Sequence, residues 1–169
     1  MIEVSVVGLA VDSRSQPLIL LRPRVEAAGR VLPIWIGAQE ATSILIAIEG
    51  GEAPRPLSHD LMKTLLETVG ADVERVAVTR IEQGTFFAEI VLRTAEGRRV
   101  IDSRPSDAIA LASRVGAPIW VAEEVIDEAG IVDDTIADGA AADTVADEES
   151  KVAEFRRFLD DIDPEDFQG

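Results

Sequence analysis

The sequence predicts an α+β fold in which a mixed or antiparallel sheet is packed by helices. Three observations carry the prediction. Short β-branched runs come in groups of three, at 2–11, 18–21 and 31–37 and again at 72–82, 84–93 and 98–102. Each group leads into a stretch whose apolar residues fall at i, i+3, i+4 and i+7, the face of a helix. Gly- and Pro-bearing clusters punctuate the runs. With 169 residues and 47% apolar content, the chain has enough material for one folded domain with an appendage.

Residues 2–11 (IEVSVVGLAV) read as a strand, 12–17 as a turn, and Leu18 to Leu21 as a second strand. Gly29 opens a third, VLPIWIG, which ends at Gly37. Ala41, Ile44, Leu45 and Ile48 then form one helical face, closed by Gly50-Gly51. A Gly/Pro-rich loop at 50–57 precedes Ser58-His59-Asp60, where Ser58 suits an N-cap and Asp60 the positive end of a helix dipole. Met62, Leu65, Leu66 and Val69 repeat the helical spacing, and Gly70 suits the position after the last turn. Strands follow at 72–82 and 84–93 around a hairpin turn at 82–85, then RRVID after the turn at 95–97. Pro105 fits the first position of a helix that Gly116 and Pro118 stop. Ile119 to Ala122 form a short strand, and 123–128 a short helix.

The segments GRVLPIWIGAQEA (29–41) and GRRVIDSRPSDA (97–108) both run strand, break, helix. They leave open a duplicated β-β-β-α unit in which Glu40 and Asp107 hold equivalent places early in their helices. Domain boundaries follow: a folded domain at 1–131, an Ala/Asp-rich flexible linker at 132–149, and an amphipathic helix at 150–169 with Phe155, Phe158, Leu159 and Ile162 on one face. That helix is expected to dock on its own domain or on a protein partner.

The net charge of −16 is uneven. Residues 1–122 carry 15 acids and 13 bases, a net of −2; residues 123–169 carry 17 acids and 3 bases, a net of −14. The acidic tail repels phosphate backbones unless it folds away from them, or covers a phosphate site by mimicking its charge. Cysteine is absent, which excludes disulfides and zinc–thiolate sites and suits a reducing compartment. The N-terminus has no basic stretch leading into an apolar run, and no segment approaches the ~20 apolar residues that span a bilayer, so a cytoplasmic location without membrane contact is expected. Gly-x-Ser-x-Gly, Walker A and GxGxxG motifs do not occur, so no nucleotide cofactor is expected. Trp35, Trp120, Phe86 and Phe87 sit in strand patterns and read as core or interface residues.

Two stretches could carry chemistry. DSRPSDAIALA (102–112) is a well-formed helix start, which accounts for Pro105 and the stripe Ala108, Leu111, Ala112 and Val115. It does not require Asp102, Arg104 and Asp107 together. Those residues also suit an anion site at a helix start, or oxygen ligation of a hard cation. RPLSHDLM (55–62) holds the single histidine, His59, beside Asp60. It reads either as a general base or as a surface histidine near a capped helix start, and its neighbourhood favours exposure.

LPIWIGAQEA (32–41), RPLSHDLM (55–62), GTFFAEIVL (84–92) and IDSRPSDAIALA (101–112), in this order and spacing, resemble the bifunctional nuclease family, a small domain of bacteria and plants. The resemblance covers residues 1–131. It implies an α+β fold, DNase and RNase activity, nucleic acid as substrate, and self-association as a homodimer. Its signature polar positions fall on Glu40, His59, Asp60, Glu89, Asp102, Arg104, Ser106 and Asp107. A metal-assisted phosphodiesterase built on them would use His59, Asp60, Asp102 and Asp107 as catalytic residues and Arg104 and Ser106 for phosphate. Asp102, Asp107, Glu40 and Glu89 would hold Mg²⁺ or Mn²⁺. The competing expectation is a non-catalytic regulatory module that binds a protein or an anion.

Overall fold

The computed structural model describes residues 1–24, 29–51 and 53–132. Apart from Val132, the expected linker at 132–149 lies outside these residues, as does the expected helix at 150–169. Among the described residues, eight strands form one sheet packed by four helices, the α+β arrangement expected.

The first three strands, β1 (Ile2–Val11), β2 (Pro17–Pro23) and β3 (Arg30–Trp35), form an antiparallel meander followed by α1 (Ala38–Glu49) and α2 (Ser58–Thr68). A second meander, β4 (Asp72–Glu82), β5 (Thr85–Thr94) and β6 (Gly97–Ser103), leads into α3 (Pro105–Val115). The described chain closes with β7 (Ile119–Val121), α4 (Glu123–Ala129) and β8 (Ile131–Val132). Strand order is β6-β5-β4-β7-β1-β2-β3-β8. The central β7 runs parallel to β4 and antiparallel to β1, and so joins the two meanders. The chain thus passes twice through three antiparallel strands and a helix. Glu40 is the third residue of α1 and Asp107 the third of α3, the equivalence the two related segments suggested.

Local chemistry explains the punctuation. The two-residue loop Gln83-Gly84 has positive φ at both positions, 51° and 77°, the geometry that matches the twist of a tight hairpin. Gly116 ends α3 in the left-handed region, at φ 70°, as expected of a glycine after the last turn.

One core joins Ile19, Leu21, Leu32 and Ile34 from the first meander to Val76 and Val78 from β4. Ile44 of α1, Ile109 of α3 and Val125 of α4 complete it. α3 is buried almost all round, because β4 and β5 lie on one side and α1 and α2 on the other. Ala108, Ala110 and Ala112 are small enough to let those elements approach closely.

Helical spacing does not by itself decide which face is covered. α2 leaves Leu61, Met62 and Leu65 exposed, as is Val69 just after it, and its one buried residue is His59. The helix packs chiefly on α3 and turns the polar residues of its first turn inward. Ser58 is the first helical residue rather than the cap. The residue before the helix is Leu57, whose backbone N–H donates to Asp60 at 2.8 Å. Ile48, expected on the covered face of α1, is exposed at that helix's last turn. Trp35 is 54% exposed as the last residue of β3, although Val31 and Pro33 on the same face are buried.

Candidate functional site

α1, the first turn of α2 and both ends of α3 contribute seven polar side chains that form one hydrogen-bonded chain. Arg104, which caps α3, donates from Nη2 to Glu40 Oε1 at 2.8 Å and to Asp107 Oδ1 at 3.1 Å. Its Nε donates to Asp107 Oδ2 at 2.7 Å. His59 Nε2 lies 3.1 Å from Asp107 Oδ1, and His59 Nδ1 lies 2.9 Å from Ser43 Oγ. Arg114 donates from Nη2 to Ser43 Oγ at 2.9 Å and from Nε to Asp60 Oδ1 at 2.5 Å. The order is Glu40, Arg104, Asp107, His59, Ser43, Arg114, Asp60.

Helix periodicity assembles this chain. Glu40 and Ser43 are three apart on α1, and Asp107 and Arg114 seven apart on α3, so each pair shares a face. Glu40 bends back over the start of its own helix to reach Arg104, and Gly37 makes room: a Cβ there would collide with the Glu40 carboxylate. The middle of the chain is dry, and Arg104 on one side and Asp60 on the other reach solvent. His59 and Ser43 are each 5% exposed, whereas the Arg104 side chain is 66% exposed.

The network sets proton positions. An ionised carboxylate only accepts, so the hydrogen between His59 and Asp107 belongs to Nε2. In the neutral ring Nδ1 is then an acceptor, filled by the Ser43 hydroxyl, whose oxygen accepts in turn from Arg114. Burial by itself raises the Asp107 carboxyl, but hydrogen bonds from Arg104 and then His59 outweigh it and hold the group below the ordinary carboxylate range. The hydrogen bond from Arg114 lowers Asp60 in the same way, against the burial that raises it. Asp107 raises Arg104 further above the ordinary guanidinium range.

Two clefts flank Arg104. One, of about 540 Å³, is lined by Glu40, Ser43, His59, Met62, Arg104 and Asp107. The other, of about 610 Å³, is lined by Trp35, Gly37, Phe86, Arg104, Pro105 and Ser106 among others. Arg104 is a wall of both.

The expected site residues separate into three groups. Glu40, His59, Arg104 and Asp107 come together at the first cleft. Asp60 is joined to them only through Arg114 and Ser43, and it also satisfies the backbone at the start of α2. His59, expected to be exposed, is buried, because Ser43 and Asp107 hold both ring nitrogens. Ser106 is buried in the wall of the second cleft.

Glu89 and Asp102 are cross-strand neighbours on β5 and β6 and lie elsewhere. Ala88 and Ile90 face the core beneath α3, so the intervening Glu89 and its partner Asp102 face the other side of the sheet. The four carboxylates expected to hold a metal are therefore divided between two faces. Among the described residues no three His, Asp or Glu side chains converge on a common point suited to a metal ion. The sequence does not signal Ser43 or Arg114 by any motif. The available clue was their spacing, Ser43 three residues after Glu40 and Arg114 seven after Asp107.

The profile of the bifunctional nuclease domain matches residues 19–134, a span that contains every member of this network. The chain belongs to the bifunctional nuclease domain family. An uncharacterized protein of Mycobacterium tuberculosis is 41% identical over 168 residues, 98% of both chains. Bifunctional nuclease 2 of Oryza sativa subsp. japonica and bifunctional nuclease 1 of Arabidopsis thaliana are each 29% identical over 113 residues, 65% of this chain and 34% of theirs. The shared domain thus spans about a third of those plant proteins. Among the described residues, no helix is long and apolar enough to cross a membrane.

Proposed function

We propose that this domain is a nuclease that hydrolyses phosphodiester bonds of DNA or RNA in the cleft between α1, α2 and α3. The observation that supports the reading best is the placement of Arg104, an exposed guanidinium between two carboxylates and between two clefts. Asp107 holds the Nε–Nη2 edge of Arg104 bidentately and Glu40 accepts from the same Nη2, and a phosphate, itself a bidentate acceptor, competes with both for these donors.

The exchange has a chemical consequence. Hydrogen bonds from Arg104 are the strongest influence that lowers Asp107, and burial opposes them. When Arg104 turns to the phosphate, burial is less opposed and the carboxylate becomes a better proton acceptor. Asp107 then takes a proton from the attacking water as the new P–O bond forms and the ester P–O bond breaks, and solvent protonates the leaving oxygen. His59, held by Ser43, fixes the orientation of Asp107. It acts as a positioning residue, since both its nitrogens are engaged.

The donor set does not suit a divalent ion. Only Glu40 and Asp107 of the expected ligands reach the cleft, and the same guanidinium engages both. The exposed Arg104 guanidinium can contact an anion without any chemistry, which supports a second reading, a module that binds an anion without cleaving it.

Cleavage of a labelled single-stranded oligonucleotide by full-length protein and by Arg104→Ala, each with and without chelator, separates the readings. The nuclease reading expects chelator-resistant cleavage that falls at least a hundredfold in the variant. Arg104-dependent binding with no cleavage supports the second reading, and cleavage equal in both proteins overturns the first.

A further inference from the structure

The cleft on the far side of Arg104 has a chemistry of its own. Its most exposed large apolar side chain is Trp35, expected to be a core or interface residue. The indole is not loose. Its Nε1 donates to Asp12 Oδ2 at 3.1 Å, while Asp12 Oδ1 accepts from the backbone N–H groups of Arg14 and Gln16 at 2.8 and 2.9 Å. The turn between β1 and β2 therefore anchors the ring by its edge and leaves over half the residue open to solvent. Phe86 contributes a second aromatic lining, packed against the core. At about 610 Å³ the cleft falls within the roughly 300–1,000 Å³ of small-molecule sites. Its charged lining residue is Arg104, beside the polar Gln16, Thr85 and Ser106.

We infer that this cleft is a nucleobase-stacking subsite, in which a base of the bound strand lies on Trp35 while an adjoining phosphate engages Arg104. The inference rests on the nuclease reading and deepens it, because it names the substrate class. An anchored indole presents a flat π-face that every base can match, and the adjacent guanidinium supplies the charge for the backbone, the two components of single-strand recognition. A base inside a duplex has both faces covered by its neighbours. The site therefore takes single-stranded DNA or RNA, or bases displaced from a helix.

The test uses full-length Asp107→Asn protein, so that strands are bound and not cut. Fluorescence anisotropy compares an oligothymidine with an abasic strand of the same length and charge. The expected result is tighter binding of the base-bearing strand, by between about five- and hundredfold. That preference collapses to within twofold when Trp35→Ala is added, and largely survives in Trp35→Phe. Equal binding of the two strands overturns the subsite while leaving the nuclease reading intact. Binding of neither strand overturns both. A preference that persists in a folded Trp35→Ala protein places the stacking elsewhere and overturns the assignment. So does equal binding coupled with self-association that Trp35→Ala abolishes, since Trp35 would then be an interface residue between copies.

Discussion

His59 and Asp107, 48 residues apart in sequence, are joined by a contact of 3.1 Å between Nε2 and Oδ1. The pair is the hinge of the network: Asp107 faces the cleft, and Ser43 and Arg114 behind His59 are buried. Because Asp107 only accepts, the neutral ring carries its hydrogen on Nε2, with Ser43 donating to Nδ1. The chain has one histidine, so nitrogen NMR reads this site without assignment. Spectra recorded at alkaline pH, where histidine is neutral, are expected to show the Nε2–H tautomer. Ser43→Ala, which removes the donor to Nδ1, is expected to give a tautomeric mixture. A dominant Nδ1–H form in the unaltered protein would contradict the hydrogen-bond order.

Acid stability follows from the two depressed carboxylates. Asp60 and Asp107 both have folded-state values below their unfolded ones. In the window below about pH 3.9 the unfolded chain binds more protons than the folded one. Each group therefore contributes stability that is complete above that pH and is lost as pH falls through its folded value. Denaturant melts from pH 7 to pH 2 are expected to steepen in loss below about pH 4, and Asp60→Asn to flatten that limb. An acid limb identical in Asp60→Asn would remove Asp60 as a source.

Arg114 is the buried cation of the network, its side chain 6% exposed. Arg114→Met keeps much of the side-chain volume but leaves Ser43 and Asp60 without their donor. Asp60 is 38% exposed and can take water instead, so the cost is discounted to about 1–3 kcal/mol of unfolding free energy. Chemical denaturation measures it, and a variant as stable as the parent would show that the network adds nothing to the fold.

Glu40 competes with phosphate for Arg104. Glu40→Gln removes the charge, and Gly37→Ala displaces the same carboxylate by occupying the space it bends into. Gly37 has φ −73°, which alanine adopts without strain, so only the flexible end of Glu40 has to move. Both variants are expected to bind an oligonucleotide about two- to tenfold more tightly at low salt, with a smaller gain at high salt. Unchanged affinity in both would show that Glu40 does not gate Arg104.

Much of the fold was legible because punctuation and period agree. The turn at 82–85, Pro105 at the start of α3 and Gly116 at its end bound elements where local chemistry and tertiary packing ask for the same thing. The burial of α2 was not legible. The same spacing that covers α3 leaves Met62 and Leu65 in solvent, since coverage depends on what packs there. Part of the cluster was readable: Arg104 and Asp107 are in excess of what a helix start needs, and Glu40 is the counterpart of Asp107 in the related segment. Asp102 and Glu89 do not join the cluster, because strand alternation sends them to the far face. Ser43 and Arg114 sit in helices with no motif, and only the approach of α1 to α3 gives them a role.

The most direct measurement of the central claim is the turnover of a single-stranded oligonucleotide by Asp107→Asn, purified alongside the unaltered protein and shown by circular dichroism to be equally folded. Asparagine keeps the size of the side chain and removes the proton acceptor. The account predicts a fall in kcat of about 10²–10⁴-fold, as expected when a general base is lost. A kcat within twofold of the unaltered protein would contradict it.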